Sequence, residues 1–163
     1  MPLLLNTTKI INDWTDYNNH MNLSFYILVF DKAAEIILSK FNMGEEAAIK
    51  TKRSTMVVET HTTYNNEVKE DDNVDVYLSF CNHDKKRLHY KLEMYEKSKN
   101  ILSATTEVLA LYINLDLRKV AEFEKDKIVI MDNFIEENKS KFKFDNLQFS
   151  NKLKTNLWLN EYW

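Results

Sequence analysis

Apolar residues in this chain change period several times, and each change marks an element. Residues 3–11 are β-compatible in content and predict a first strand. From residue 24 to about residue 41 the period becomes helical. Asp31, Lys32, Glu35 and Ser39 fall on one narrow polar stripe, while Phe25, Leu28, Val29, Phe30, Ala33, Ile36 and Ile37 make most of the circumference apolar. A helix of that kind must be buried on several sides. Residues 42–53, with Gly44 as a stop signal, read as a loop holding at most one short turn. Four strand patterns follow, at 54–64, 73–81, 87–95 and 101–115. In the second, Val74, Val76, Leu78 and Phe80 alternate with Asp75, Tyr77, Ser79 and Cys81. In the third, Leu88, Tyr90, Leu92 and Met94 alternate with His89, Lys91, Glu93 and Tyr95. The links between them are short and polar, which predicts antiparallel hairpins. The last strand is apolar on both faces toward its end and so needs cover on both sides; a subunit partner is one source. Residues 120–142 predict an amphipathic surface helix, broken near Lys127. The remainder is polar with scattered aromatics, Phe149, Trp158, Tyr162 and Trp163, expected to clamp onto the domain or its partner.

A strand, a buried helix and four antiparallel strands make an α+β layout in which a curved sheet wraps a central helix. The expected division is a domain over residues 1–119 with a C-terminal helical extension, 120–163, packed on it. The length of 163 residues suits one core. A net charge of −3 gives no support for a nucleic-acid partner. A single cysteine, Cys81, excludes a disulfide within the chain and makes a reducing cytoplasm the simplest setting. Residues 1–5 are too few for a signal peptide, and no apolar run reaches membrane-spanning length, so no membrane role is expected. Gly and Pro occur once each, so Asn is expected at turns that need a left-handed residue.

Chemistry concentrates in residues 13–22, Asp-Trp-Thr-Asp-Tyr-Asn-Asn-His-Met-Asn, directly ahead of the apolar helix. The first N–H groups of a helix lack intrahelical partners and its dipole favours negative charge there, so an oxyanion or a polarised carbonyl suits this point. The alternative is an Asn-rich turn that only caps the helix.

The order and the motifs bring a family into view. Trp14-Thr15-Asp16-Tyr17-Asn18-Asn19-His20-Met21-Asn22 resembles the W-x-D-Y-N-G-H-M-N signature of hotdog-fold acyl-CoA thioesterases, the 4-hydroxybenzoyl-CoA thioesterase-like group, and especially its betainyl-CoA thioesterase branch. Val58-Glu59-Thr60-His61 is similar to that branch's V-E-T-H strand, and Asp84-Lys85-Lys86-Arg87-Leu88-His89 to its D-x-K-R-L-H turn. Ala104-Thr105-Thr106-Glu107 is similar to its A-T-x-E strand start, and Asp116 with Arg118 to its closing D…R. The likeness covers residues 5–123. It implies the hotdog fold, a homodimer or a tetramer of dimers with sites between subunits, and metal-free hydrolysis of an acyl-CoA with no cofactor beyond the coenzyme A of the substrate.

On this sequence the resemblance gives Asp16 the catalytic role, as nucleophile or as the base that activates water. Burial beside apolar groups would raise its basicity. Backbone N–H groups around Asn22 and Leu23 would polarise the carbonyl. His20 would orient the aspartate, touch substrate, or bond only to the loop backbone. Tyr17, Asn19 and Leu23 are candidates for substrate contact. Asn19 stands where the family has Gly: it supplies the same positive φ, or it narrows the site. Glu59 and His61, two apart on one strand face, line the cleft or pair across the dimer. Lys85, Lys86 and Arg87 meet the phosphates of coenzyme A or form a solvated turn. Cys81 lacks a nucleophile's surroundings, His83 reads as a turn residue, and the histidine spacing matches no metal motif. Trp14, Phe25 and Tyr26 read as core. Two other functions share the fold. An enoyl-CoA hydratase or dehydratase needs an Asp-to-His spacing with Asn-Pro that this chain lacks, and a non-catalytic acyl-CoA-binding module would keep the pocket without turnover.

Overall fold

The computed structural model describes residues 2–153. Its strands are β1 (Leu3–Lys9), β2 (Arg53–Tyr64), β3 (Asn73–His83), β4 (Arg87–Glu96), β5 (Ile101–Asn114) and the short β6 (Lys119–Val120). Its α-helices are α1 (Leu23–Lys40), α2 (Glu45–Thr51) and α3 (Lys125–Asn138). The strands form one antiparallel sheet in the order β1-β3-β4-β5-β2, with β6 paired to the end of β5. Tyr26, Val29, Phe30, Ala33, Ala34 and Ile37 of α1 share one core with Val76, Leu78, Leu92, Met94, Val108 and Tyr112 from the inner face of the sheet. The predicted α+β arrangement, a curved sheet around a central helix, is therefore the observed one.

The sheet curves at points where one strand carries an extra residue: Leu5 in β1, Val58 in β2, Ser79 in β3 and Ser103 in β5. Such bulges bend a strand and reverse the side-chain parity beyond them. At Ser79 this overturns the simple alternation. Leu78 stays opposite Leu92, but Phe80 falls opposite Lys91 on the outer face and Cys81 opposite Tyr90 on the inner one. Burial pushes the Cys81 thiol up to about 12, so it is an inert core group.

Three other expectations need correction. The 65–72 link is not a hairpin: β2 pairs with β5 at the far edge of the sheet, and the side of β3 away from β4 is taken by β1. Residues 42–53 contain a two-turn helix, α2, because Gly44 lets the chain pass Glu35 and Ser39; a Cβ there would lie 2.5 Å from Glu35 Oε1. The C-terminal helix starts at Lys125 rather than 120, since Val120 is used in β6 opposite Ile113, and it runs through Lys127 unbroken.

The outer face of β5 is covered by the chain itself. Phe142 and Phe144 pack on Phe80, and Phe149 and Leu153 pack on Leu109. This strap, residues 142–153, is fixed by backbone bonds: Lys143 N–H donates to Ser79 O, freed at the bulge, and the N–H groups of Gln148 and Phe149 donate to the Glu107 carboxylate. His89, fully buried, donates to Glu107 Oε1 at 2.7 Å. Burial alone would raise the Glu107 pKa, but these donors outweigh it and hold the group below the ordinary range. Burial lowers the pKa of His89 more than Glu107 raises it, so His89 is neutral and its Nδ1 is buried without a partner. The clamp role expected of Phe149 is thus met within the chain; Trp158, Tyr162 and Trp163 lie outside the described residues.

Glu107→Ala removes a buried charge that accepts three N–H donors and is expected to cost about 3–5 kcal/mol, read as a lower urea midpoint. Both members of the pair have lowered native pKa values, so the unfolded chain binds more protons than the folded one on acidification. Wild-type stability should therefore fall as pH drops below 6.5, the ordinary histidine value, and fall further through the carboxylate range.

Candidate active site

Between β1 and α1 the chain makes a small loop braced at both ends. Thr15 and Met21 form an isolated antiparallel bridge, and Asn22 N–H donates to Trp14 O at 2.9 Å. At the tip, Asp16 N–H donates to His20 O and Asn19 N–H donates to Asp16 O. Asn19 has φ 62°, the left-handed conformation that Asn tolerates best after Gly. Of the two readings of this position, the geometry supports the backbone one. Trp14 stacks on Phe25 of α1 with ring centres 5.9 Å apart, and the Lys32 ammonium lies 5.2 Å from the Trp14 ring centre. From the other side, Met21 N–H donates to Val68 O at 2.6 Å, which ties the loop to the 65–72 segment after β2.

The Asp16 carboxylate is held at both oxygens. Oδ1 accepts from Asn18 N–H at 2.8 Å and Oδ2 from Asn22 Nδ2 at 3.2 Å. The other end of the Asn22 amide caps α1, Oδ1 accepting from Ser24 N–H at 3.0 Å. One side chain thus fixes the helix start and the carboxylate together. The expectation of a buried, more basic aspartate is not met. Hydrogen bonds to the charged form, Asn18 N–H first and the Asn22 amide second, outweigh the effect of burial and hold the group below the usual aspartate range. His20 Nδ1 lies 3.3 Å from Met21 O, so its hydrogen bond is to the loop backbone. The expected pair of polarising N–H groups reduces to one. Asn22 N–H is spent on Trp14 and Ser24 N–H on the cap, which leaves Leu23 N–H, the first of the helix, without a partner among the described residues.

A cavity of about 490 Å³ opens beside this loop. Asp16, Tyr17, His20, Asn22 and Leu23 line one side. The opposite wall was not legible in the sequence: it is Tyr26 from α1 with Tyr64, Asn65, Asn66 and Glu67, where β2 ends. Tyr17 is 93% exposed, at the rim. Asn19 shapes the loop from its turn position and is not among the lining residues.

The remaining candidates lie elsewhere in the chain. Residues opposite each other in a ladder share a face. Glu59 is opposite Leu109 and His61 opposite Glu107, so both sit on the outer face of β2, solvent-exposed and away from the cavity, because the Val58 bulge sets their parity. Lys85, Lys86 and Arg87 form the β3–β4 turn, at the far end of the sheet from the Asp16 loop. There Asp84 accepts from the N–H groups of Lys86 and Arg87 and pairs with the Arg87 guanidinium at 2.8 Å. Arg87 is therefore engaged in holding the turn, while Lys85 and Lys86 are exposed. His83 joins the hairpin to α3 through Asp132 at 2.6 Å.

With this geometry in view, likeness to known proteins can be weighed. The profile of the thioesterase-like superfamily matches residues 11–137, from the loop through α3. The betainyl-CoA thioesterase of Pseudomonas aeruginosa is 28% identical over 133 residues, covering 82% of this chain and 84% of that protein. Among solved structures, a Staphylococcus aureus protein crystallised with CoA superposes with a TM-score of 0.78 at 21% identity, over 96% of this chain and 97% of that one. The 1,4-dihydroxy-2-naphthoyl-CoA thioesterase of Synechocystis superposes with a TM-score of 0.70 at 15% identity, over 78% and 94%. A matching profile that spans the loop, the helix and every strand but β1, on a sheet curved around that helix, establishes that this chain belongs to the thioesterase-like superfamily and is a hotdog-fold enzyme.

Proposed function

We propose that this thioesterase hydrolyses the CoA thioester of a short or medium acyl group, with Asp16 as its catalytic residue and without a metal or further cofactor. The observation that carries the reading is the pairing, in one cavity, of a doubly hydrogen-bonded carboxylate with the free N–H that opens α1. A thioester carbonyl between them would have its oxygen toward Leu23 N–H and the positive end of the helix dipole, and its carbon toward Asp16. A carboxylate of lowered pKa is ionised across the neutral range, the form that direct attack on the carbonyl carbon requires. Asp16 would add to the carbonyl carbon, the C–S bond would break with CoA leaving as thiolate, and water would cleave the acyl–aspartyl anhydride to free acid and carboxylate. The second proton of that water ends on the thiolate. His20, bound to the loop backbone, and Tyr17, at the rim, serve substrate positioning.

The same reading includes a homodimer. β2 is an edge strand, paired on one side with β5 and open on the other among the described residues; its Met56, Val57 and Val58 are 40–56% exposed, and Leu23, Ile27 and Leu28 of α1 expose apolar surface too. A long apolar edge is a template for pairing with another chain. Antiparallel pairing of β2 with its copy sets the Tyr64 end of one chain beside the Arg53 end of the other. It carries the hairpin turn of the second chain toward the cavity of the first. The partner subunit's Lys85 and the partner subunit's Lys86 would then meet the CoA phosphates, and Glu59 and His61 would lie beside the two-fold seam, suited to pairing across it.

Asp16→Asn is expected to lower thiol release from acyl-CoA at least a thousandfold while CoA binding and the melting temperature hold, as measured by titration calorimetry and thermal unfolding. Borohydride quenching of wild-type turnover should leave a reduced Asp16, seen by peptide mass; an untouched Asp16 would assign it the general-base role. Asn22→Ala, which removes a donor to the charged carboxylate, should move the acid limb of kcat/KM to higher pH and cost about 1 kcal/mol through the lost cap. Val57→Asp sets like charges across the β2 seam and is expected to give an inactive monomer by light scattering.

A further inference from the structure

Every backbone carbonyl of the 84–87 turn, between β3 and β4, accepts a hydrogen bond. His83 Nδ1 lies 3.0 Å from Asp84 O, and Phe123 N–H donates to Lys85 O at 2.9 Å. Tyr112 N–H donates to Lys86 O at 2.8 Å, and Asp84 N–H donates to Arg87 O at 3.0 Å. The buried Asp84 carboxylate is occupied by the N–H groups of Lys86 and Arg87 and by the Arg87 guanidinium. With these acceptors engaged, what the turn presents to solvent is the exposed side chains of Lys85 and Lys86. Lysines on a mobile loop make a weak anion site, because binding must also order the loop; a backbone fixed beforehand removes that cost.

His83 ties this turn to α3. Its Nε2 lies 2.6 Å from Asp132 Oδ1, and its ring meets Phe123 edge to face with centres 6.2 Å apart. Phe123 packs in turn on Tyr112, at 4.7 Å. The helix at the other end of this strut is anchored in the core: Met131 is fully buried, and Phe134 meets Phe41, the cap of α1, edge to face at 5.1 Å. A carbonyl and a carboxylate both accept, so the ring makes its two bonds together only with a proton on each nitrogen, the form in which both are charge-assisted. Asp132 itself is 61% exposed and meets no lysine or arginine among the described residues, so its contact with His83 is not needed to dock the helix. We infer that His83, held by Asp132, is a positioning residue for coenzyme A: it fixes the turn, and with it the place where Lys85 and Lys86 meet the phosphates. The inference rests on the reading that this turn serves the coenzyme A bound at a neighbouring subunit's cavity, and it adds the pair that sets the turn. Coulomb's law alone gives Asp132 the opposite effect, since a carboxylate beside a phosphate site repels the ligand. The two accounts differ in sign.

The test compares two thioesters of one acyl group, the one that wild type turns over fastest among acetyl, butyryl, hexanoyl and betainyl. The CoA thioester carries phosphates; the N-acetylcysteamine thioester has the same reacting carbonyl and none. Asp132→Ala is expected to raise KM for the CoA thioester about fivefold, the effect of one lost hydrogen bond, with kcat held. KM for the N-acetylcysteamine thioester should not move. Asp132→Asn keeps an acceptor oxygen for His83 and drops the charge, and should return KM to the wild-type value or below it. His83→Ala should match Asp132→Ala; if the loss of the ring unfolds the protein, the exposed Asp132 still carries the test. A KM for the CoA thioester that is unchanged or lowered in Asp132→Ala, or raised equally for both thioesters, overturns the positioning role. Replacing Lys85 and Lys86 together by Ala probes the reading beneath it. An unmoved KM in that double variant takes the phosphates away from the turn, and the inference with them, while turnover leaves Asp16 in place. Absence of wild-type thiol release from all four CoA thioesters would overturn the thioesterase reading itself.

Discussion

Burial of α1 against the concave face of the sheet is the constraint from which the rest of this structure follows. The helix is apolar over most of its surface, so it is stable only where other elements surround it. The sheet can surround it only by curving, and the extra residues in β1, β2, β3 and β5 supply the bends. Once the helix is fixed, its first turn is fixed too, and a backbone amide and the positive end of a dipole are delivered to one place. The chemistry is an outcome of packing: the element that makes the core also makes the electrophilic corner of the site.

Asn22 joins these two roles. Its carbonyl oxygen ends the helix and its amide nitrogen holds Asp16, so the distance between the carboxylate and the helix terminus is set by one planar group with little freedom. Asn18 N–H completes the arrangement from within the turn. The cost of this rigidity is basicity, since every donor that positions the carboxylate also stabilises its charge.

What was legible in the sequence were features carried by period and by local spacing. The order of elements along the chain, the apolar helix, the loop ahead of it and the positive φ at Asn19 all follow from neighbours in the chain. Two kinds of feature were not legible. The first is parity after a bulge: nothing in the residues 78–81 announces that Ser79 is extra, so Phe80 and Cys81 were assigned to the wrong faces. The second is convergence of distant segments. Tyr64 and Glu67 look like the polar end of a strand, and only the tie between Met21 and Val68 brings them to the Asp16 cavity. The turn residues Lys85 and Lys86 show the reverse case, a basic cluster with a suggestive motif that a single chain keeps far from the site. The Glu107 and His89 positions belong to recognisable motifs, yet in this chain they hold the C-terminal strap in place.

The bulge at Ser79 has an analytical side. By turning Cys81 inward it removes the chain's single thiol from solvent and from the reach of electrophiles. Thiolate, the reactive form, is suppressed by burial to the point where the group is silent near neutrality. A disulfide indicator such as Ellman's reagent, added to the native protein during turnover, therefore meets one kind of sulfur, that of the coenzyme A just released, and the enzyme needs no engineered cysteine-free background to be followed continuously. The same inward turn protects the fold from adventitious cross-linking between chains when it is handled without reductant.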